Sequence, residues 1–156
     1  MSSQVVLRGW DANGYPHAMN VRTPSDALTV LRAASRDGTL DKLCDRHGVS
    51  LFLVFGSTVT GATAGTAQDL EIAVHSDGHL DVLGMLADLT DLTGLDAIDL
   101  LDLRRAGPVA AVQALHHGEV LLERRSDLAD RLLMRATLEK MDTQWLRDWA
   151  LELMAS

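Results

Sequence analysis

The chain has 156 residues, 47% of them hydrophobic, and sets 22 acidic against 14 basic side chains for a formal net charge of −8. That length suits one domain burying roughly two-thirds of its unfolded surface, and the acidic balance argues against a general nucleic-acid binder, which needs a basic surface. A lone cysteine, Cys44, excludes an internal disulfide and reads as a small buried apolar residue. No apolar run approaches the roughly 18 residues of a membrane span, and Val5 to Leu7 is too short for a signal-peptide core; the expected setting is cytoplasmic.

In chain order, Asp11 to Gly14 and Tyr15-Pro16 carry turn chemistry and predict a loop or small hairpin within residues 1–22. Thr23-Pro24-Ser25-Asp26 opens a helix: Thr23 suits the N-cap, Pro24 the first helical position and Asp26 the positive N-terminal end. Ala27, Leu28, Leu31 and Ala34 form its apolar stripe, and Asp37-Gly38 ends it. A second helix runs from Leu40 to His47 and stops at Gly48. Val49 to Phe55 is a nearly continuous apolar run of strand length, as in a strand buried on both faces.

Gly56 to Ala67 is small and polar, and Leu70 to Val74 is the next strand. Leu80, Leu83, Leu86, Ala87 and Leu89 follow helical spacing, closed by Thr93-Gly94. Ala97 to Leu103 predicts a third strand, Pro108 to His117 a helix, Val120 to Leu122 a short strand, and Ser126 to Met154 a long amphipathic helix with a break expected near Asp142-Thr143. The fold class is therefore α/β in one domain: a small mixed sheet flanked by helices, with residues 1–48 an N-terminal helical segment, 49–123 the core and 126–156 a long C-terminal helical segment.

Chemistry concentrates in the core. Asp69 and Glu71 are two apart, so on a strand they project from one face while Leu70 and Ile72 point into the interior. Two like charges side by side repel unless a cation lies between them, and hard oxygen donors suit magnesium or manganese. Asp99 sits inside the apolar run Ala97 to Leu101, where burying an unpaired charge is costly, which marks it as the third acid ahead of Asp96 and Asp102. Gly56 lets the chain turn sharply and lets an anion approach the backbone, while Ser57 supplies an N–H and a hydroxyl.

The run Leu53 to Gly61 with its Gly56-Ser57, then Asp69 to Val74, then Asp99 to Leu103, resembles the minimal nucleotidyltransferases of the DNA polymerase β superfamily, and Ala110 to Glu123 resembles the helix-strand ending of that domain. The resemblance implies a mixed sheet with helices packed on it, two divalent metals (magnesium or manganese) held by the catalytic acids Asp69, Glu71 and Asp99, and a nucleoside triphosphate such as ATP whose phosphates meet Gly56 and Ser57. The implied reaction is attack of an acceptor hydroxyl on the α-phosphate, with pyrophosphate leaving. Three departures accompany it: Glu71 stands where aspartate is usual, the spacer Thr58 to Gln68 is eleven residues, and Thr58 and Thr60 stand where such proteins often carry arginine.

Two further readings stay open beside the enzyme. Small members of the family resemble antitoxins that pair with, and nucleotidylate, a partner toxin of the HEPN class. A polymerase-like or repair role follows from the superfamily alone and is disfavoured by the acidic charge, as is a nucleic-acid partner.

Outside this constellation, His116-His117 reads as a helix end, His75 and His79 as loop residues after the acid-bearing strand, and Arg104-Arg105 and Arg124-Arg125 as solvated strand ends or a source of phosphate-binding charge. Trp145 and Trp149, four apart on the last helix, share a face suited to core packing or an oligomer contact.

Overall fold

The computed structural model describes residues 23–61 and 67–156; the turn expected at Asp11 to Pro16 lies outside them, as does part of the small polar loop. Helix α1, Pro24–Asp37, begins as its sequence predicts: the Asp26 N–H donates to the Thr23 side chain, Pro24 occupies the first turn, and Gly38 leaves it in the left-handed region at φ 88°. Helix α2, Thr39–Arg46, follows at once. Strand β1, Val49–Phe55, is buried at every position. A one-turn helix α3, Ser57–Thr60, and strand β2, Leu70–Ser76, come next. Helix α4, Val82–Thr93, strand β3, Ile98–Asp102, helix α5, Pro108–His117, strand β4, Glu119–Glu123, and helix α6, Leu128–Ala155, complete the order.

The four strands form one sheet in the order β3-β2-β1-β4. β1 pairs antiparallel with β2 and β4, and β2 pairs parallel with β3, so the sheet is mixed. One face (Phe52, Val54, Leu70, Ile72, Val74) packs against α1, α2 and α4 through Leu31, Leu40, Leu43 and Met85. The other (Leu51, Leu53, Phe55, Ala73) packs against Ala114 of α5 and Leu128 of α6. Both faces of β1 being covered accounts for its unbroken apolar run. Among the described residues no helix is long and apolar enough to cross a membrane.

Three expectations are corrected. In α4 the core-facing stripe is Met85, Leu89 and Thr93, four residues apart; of the leucine-rich spacing Leu80 and Leu89 are buried, whereas Leu83 is 80% exposed and Ala87 points to solvent. β2 runs on through His75 and Ser76, because Ser50 of β1 bonds the His75 ring and carbonyl, both at 3.1 Å, so His75 is a strand residue. Helix α6 is unbroken at Asp142-Thr143: the Thr143 hydroxyl donates back to the Glu139 carbonyl at 3.0 Å and is absorbed by the helix.

Candidate functional site

The site lies where β1 ends and β2 begins. Phe55 pairs with Glu71 across β1 and β2, and Glu71 pairs with Asp99 across β2 and β3. Neighbouring strands lie about 4.8 Å apart and register partners share a face, so both carboxylates leave the same face of the sheet. That face is the one covered further along by α5 and α6, but at this end Asp99 is exposed and Glu71 only half-buried. Asp69 is also exposed, at the bend feeding β2, where the Leu70 N–H donates to the Ala97 carbonyl and ties that bend to the start of β3. The topology thus brings all three acids to one end of one face.

Gly56 follows β1 directly, with φ 81° and ψ −160°, a conformation essentially confined to glycine. It starts α3, which packs against β1 and α1, and Ser57 opens a helical turn as the sequence reading requires. The Ser57 backbone N–H lies near enough to the Glu71 carboxyl to work against the upward push on its pKa. The approach is so close that a Cβ added to Gly56 would stand 1.6 Å from Glu71 Oε2. Glycine is required there twice over, by the backbone and by the space. Beside it the Thr58 hydroxyl is buried and has no hydrogen-bond partner among the described residues.

Electrostatics confirm that the acids feel one another. The Glu71 carboxyl is pushed above its usual range, first by burial, then by the charges of Asp99 and Asp69, with the Ser57 N–H opposing. Among the described residues, no three His, Cys, Asp or Glu side chains are already gathered as a metal cage. The donor set is all carboxylate oxygen, which is the chemistry of a magnesium or manganese site.

The reason given for Asp99 is corrected. It is not buried, because β3 is an edge strand of the sheet and its acid-bearing end is uncovered. The rival Asp102 binds the Arg104 N–H at 3.0 Å at the other end of β3, and Asp96 is exposed ahead of the strand.

Neither arginine pair reaches the acids. Arg104 donates to the Gly78 carbonyl at 2.7 Å, Arg124 to the Val49 carbonyl at 3.1 Å and to Asp41, and Arg125 to Asp77 at 2.6 Å. All three stand at the far end of the strands, four or more residues or about 13 Å along from Glu71. His75 also belongs to that end, where burial foremost holds its ring below the usual pKa. A cavity of about 190 Å³ opens there between the sheet, α5 and α6, lined by His75, Arg104, Leu115, Arg135 and Glu139 among others; it is separate from the acids.

Sequence reasoning missed a cation at this end of the sheet. Arg32 of α1 grips Glu119 of β4 with two nitrogens, the shortest contact 2.9 Å, beside Val54 and so at the same end of the sheet as Gly56. Nothing in the sequence couples two residues 87 positions apart.

The sequence profile described as Polymerase beta, Nucleotidyltransferase matches residues 39–127, more than half of the chain. No curated protein matches it. Among solved structures it is similar to a chain of a mutant MntA–HpeT toxin–antitoxin, at 21% identity and a TM-score of 0.62 over 77% of this chain and 98% of that one. A toxin–antitoxin with AMP-PNP gives 20%, a TM-score of 0.62, and 77% and 98% coverage. The complex of a tri-AMPylated Shewanella oneidensis HEPN toxin with its MNT antitoxin gives 19%, a TM-score of 0.60, and 80% and 99% coverage. At these identities the likeness establishes a shared fold. The profile match spans Gly56, Ser57 and all three acids, and the chain belongs to the polymerase β nucleotidyltransferase family.

Proposed function

We propose that this protein transfers a nucleoside monophosphate from a nucleoside triphosphate, ATP by the AMP-PNP likeness, to an acceptor hydroxyl. The observation that carries the reading is the pairing of Glu71 with Asp99 across β2 and β3, beside the Gly56-Ser57 turn, within the family's domain. Gly56 would let the phosphates lie against the backbone, and Ser57 would donate its hydroxyl and N–H to them. Asp69, Glu71 and Asp99 are the carboxylates that would hold magnesium or manganese, which when bound supplies charge neutralisation at the α-phosphate and leaving pyrophosphate and lowers the acceptor's pKa. Asp99, which is exposed, would orient an entering hydroxyl and take its proton. The new bond joins the acceptor oxygen to the α-phosphorus, the bond to the bridging β-phosphate oxygen breaks, and pyrophosphate departs. A cytoplasmic setting, where triphosphates are abundant, accords with this reading.

The test uses purified protein, labelled nucleoside triphosphates and added magnesium or manganese. Asp69→Asn is expected to abolish transfer to any acceptor the wild type labels. Wild-type protein that neither binds nor transfers a nucleotide with either ion defeats the reading.

A second, overlapping reading is that the acceptor is a partner protein of the HEPN toxin kind, which the protein restrains as an antitoxin. It is supported by α6, where Met141 is 62%, Trp145 62% and Trp149 57% exposed, so these side chains pack in no core formed by the described residues. Co-expression with a HEPN protein encoded beside this chain is expected to yield a complex in which the partner gains the mass of one or more AMP units. Trp145→Glu with Trp149→Glu is expected to release it; a complex indifferent to that pair of changes removes α6 from the contact.

A further inference from the structure

We propose that the outer face of α6 is a self-association seam, on which a second copy of this chain lays its own α6 antiparallel about a two-fold axis between Glu139 and Lys140. The inference is independent of the nucleotidyltransferase reading and can fail without touching it.

Helix α6 is apolar on two opposite faces. Leu128 and Leu132 pack it onto the sheet, and Ala136, one turn further, is buried. Residues two apart on a helix point about 200° from each other. Met134 is therefore turned away from the body that holds Ala136, and it is 67% exposed. Leu138, Met141 and Trp145 follow it at steps of four, three and four, the spacing of a heptad seam, and all are more than half exposed. One further step to either side, the seam meets Arg131 and Asp148, and Trp149 stands beside its end. Five large apolar side chains on the outer face of one helix form the kind of continuous patch that marks an interaction surface.

Charge selects the occupant and its direction. A second α6 running parallel in register would set Arg131 against Arg131 and Asp148 against Asp148. Running antiparallel, it sets Arg131 against Asp148, Met134 against Trp145 and Leu138 against Met141, each pair formed twice as a two-fold requires. Arg135 and Asp142, each one position outside the seam on the same flank, meet in that register too. Among the described residues none of these four charged side chains is in an ion pair, and Arg131 donates to the Ser126 carbonyl at 3.3 Å. Each body lies on the face of its own α6 turned from the seam, so the two hang on opposite sides of the helix pair. Covering the five apolar side chains takes roughly 600 Å² from each copy, about 1,200 Å² in all, where stable interfaces begin. Methionine, tryptophan and arginine are also the residues such surfaces favour. An area of that size fits a dimer of micromolar strength, with single copies in dilute solution whose α6 is bare beyond Ala136. A toxin-like partner held on the same face would take the place of the second copy.

The experiment is analytical ultracentrifugation of the full chain between about 1 and about 100 µM. Wild type is compared with two charge-reversed variants, Arg131→Glu with Arg135→Glu and Asp142→Arg with Asp148→Arg. Wild type is expected to pass from monomer to dimer over that range. Either variant alone sets like charges together at both ends of the seam and is expected to stay monomeric, its dissociation constant raised at least about tenfold. Mixed in equal parts, the two variants restore every opposite pair and are expected to recover the dimer, which also shows that both are folded. Direction is read by cross-linking. Met134→Cys mixed with Trp145→Cys is expected to give the crossed disulfide on oxidation, the native Cys44 being buried. Same-variant disulfides without the crossed product overturn the antiparallel seam. A wild type that is monomeric at about 100 µM, or a dimer that both charge reversals leave unchanged, overturns the proposal and leaves this face of α6 to a foreign partner.

Discussion

Gly56→Ala tests the turn at the level of folding free energy. Two costs are separable. The first is backbone: φ 81° with ψ −160° is a conformation that a residue with a Cβ adopts only under strain, worth about 1–3 kcal/mol. The second is spatial. The new methyl would fall 1.6 Å from Glu71 Oε2. A carboxylate at the end of a flexible side chain can swing away, so the overlap is relieved, but the polar contact of Glu71 with the turn is lost, at about 1 kcal/mol. Together Gly56→Ala is expected to cost about 2–4 kcal/mol, read as a fall in the urea midpoint at unchanged slope. In a Glu71→Ala background the second cost is already absent, so the same substitution should cost only the backbone part and the double-mutant cycle should show a coupling of about 1 kcal/mol. A cost below about 1 kcal/mol that is equal in both backgrounds refutes the geometry of the turn and the Glu71 contact with it.

Gly118→Ala should destabilise for a different reason: its backbone is ordinary, but the added methyl would lie 2.4 Å from the Ala114 carbonyl and 2.6 Å from a Leu53 methyl. An overpacking cost of about 1–3 kcal/mol in urea unfolding is expected, and a neutral result removes the tight α5–β4 junction. Cys44, fully buried, has its thiol pushed up to about 12, chiefly by burial. Iodoacetamide at pH 8 should therefore label it only in denaturant. The neutral thiol being favoured in the folded state, stability should fall as pH rises from the ordinary thiol value of 9.0 toward 12, and rapid labelling of the native protein would contradict both. In α6 no residue beyond Ala136 is buried, so amide exchange from Thr143 to Ala155 should be fast in the isolated protein and slow on binding a partner; full protection in the isolated chain refutes an unsupported helix.

Much of the fold was legible because its signals are local. Thr23 and Pro24 bond within a single helical turn, and the run from Val49 to Phe55 needs no distant partner to be recognised as covered on both faces. What stayed hidden depends on partners far along the chain. His75 and Ser76 are polar, and only Ser50 and Val49 opposite them make them strand residues. The exposed stripe of α4 is as leucine-rich as the buried one, and which is buried follows from where α1 and the sheet lie, not from spacing. Arg32 and Glu119 meet because α1 crosses the end of β4.

At the candidate site the sequence marked the positions, and the structure changed what they mean. Asp69 and Glu71 were paired by their spacing and Asp99 was chosen separately as a third acid; register sets Glu71 and Asp99 side by side. The burial argued for Asp99 is absent, since an edge strand leaves it open, and that openness is what an acid receiving an acceptor hydroxyl needs. The structure adds a contact that spacing alone could not give: the Glu71 carboxylate lies against Gly56, where a Cβ would stand 1.6 Å from Oε2, and Glu71 is the register partner of Phe55, the residue before that glycine. The glycine that ends β1 and the glutamate near the start of β2 are therefore fitted to each other across the sheet, which ties two residues of the candidate site that the sequence reading had treated as separate signals.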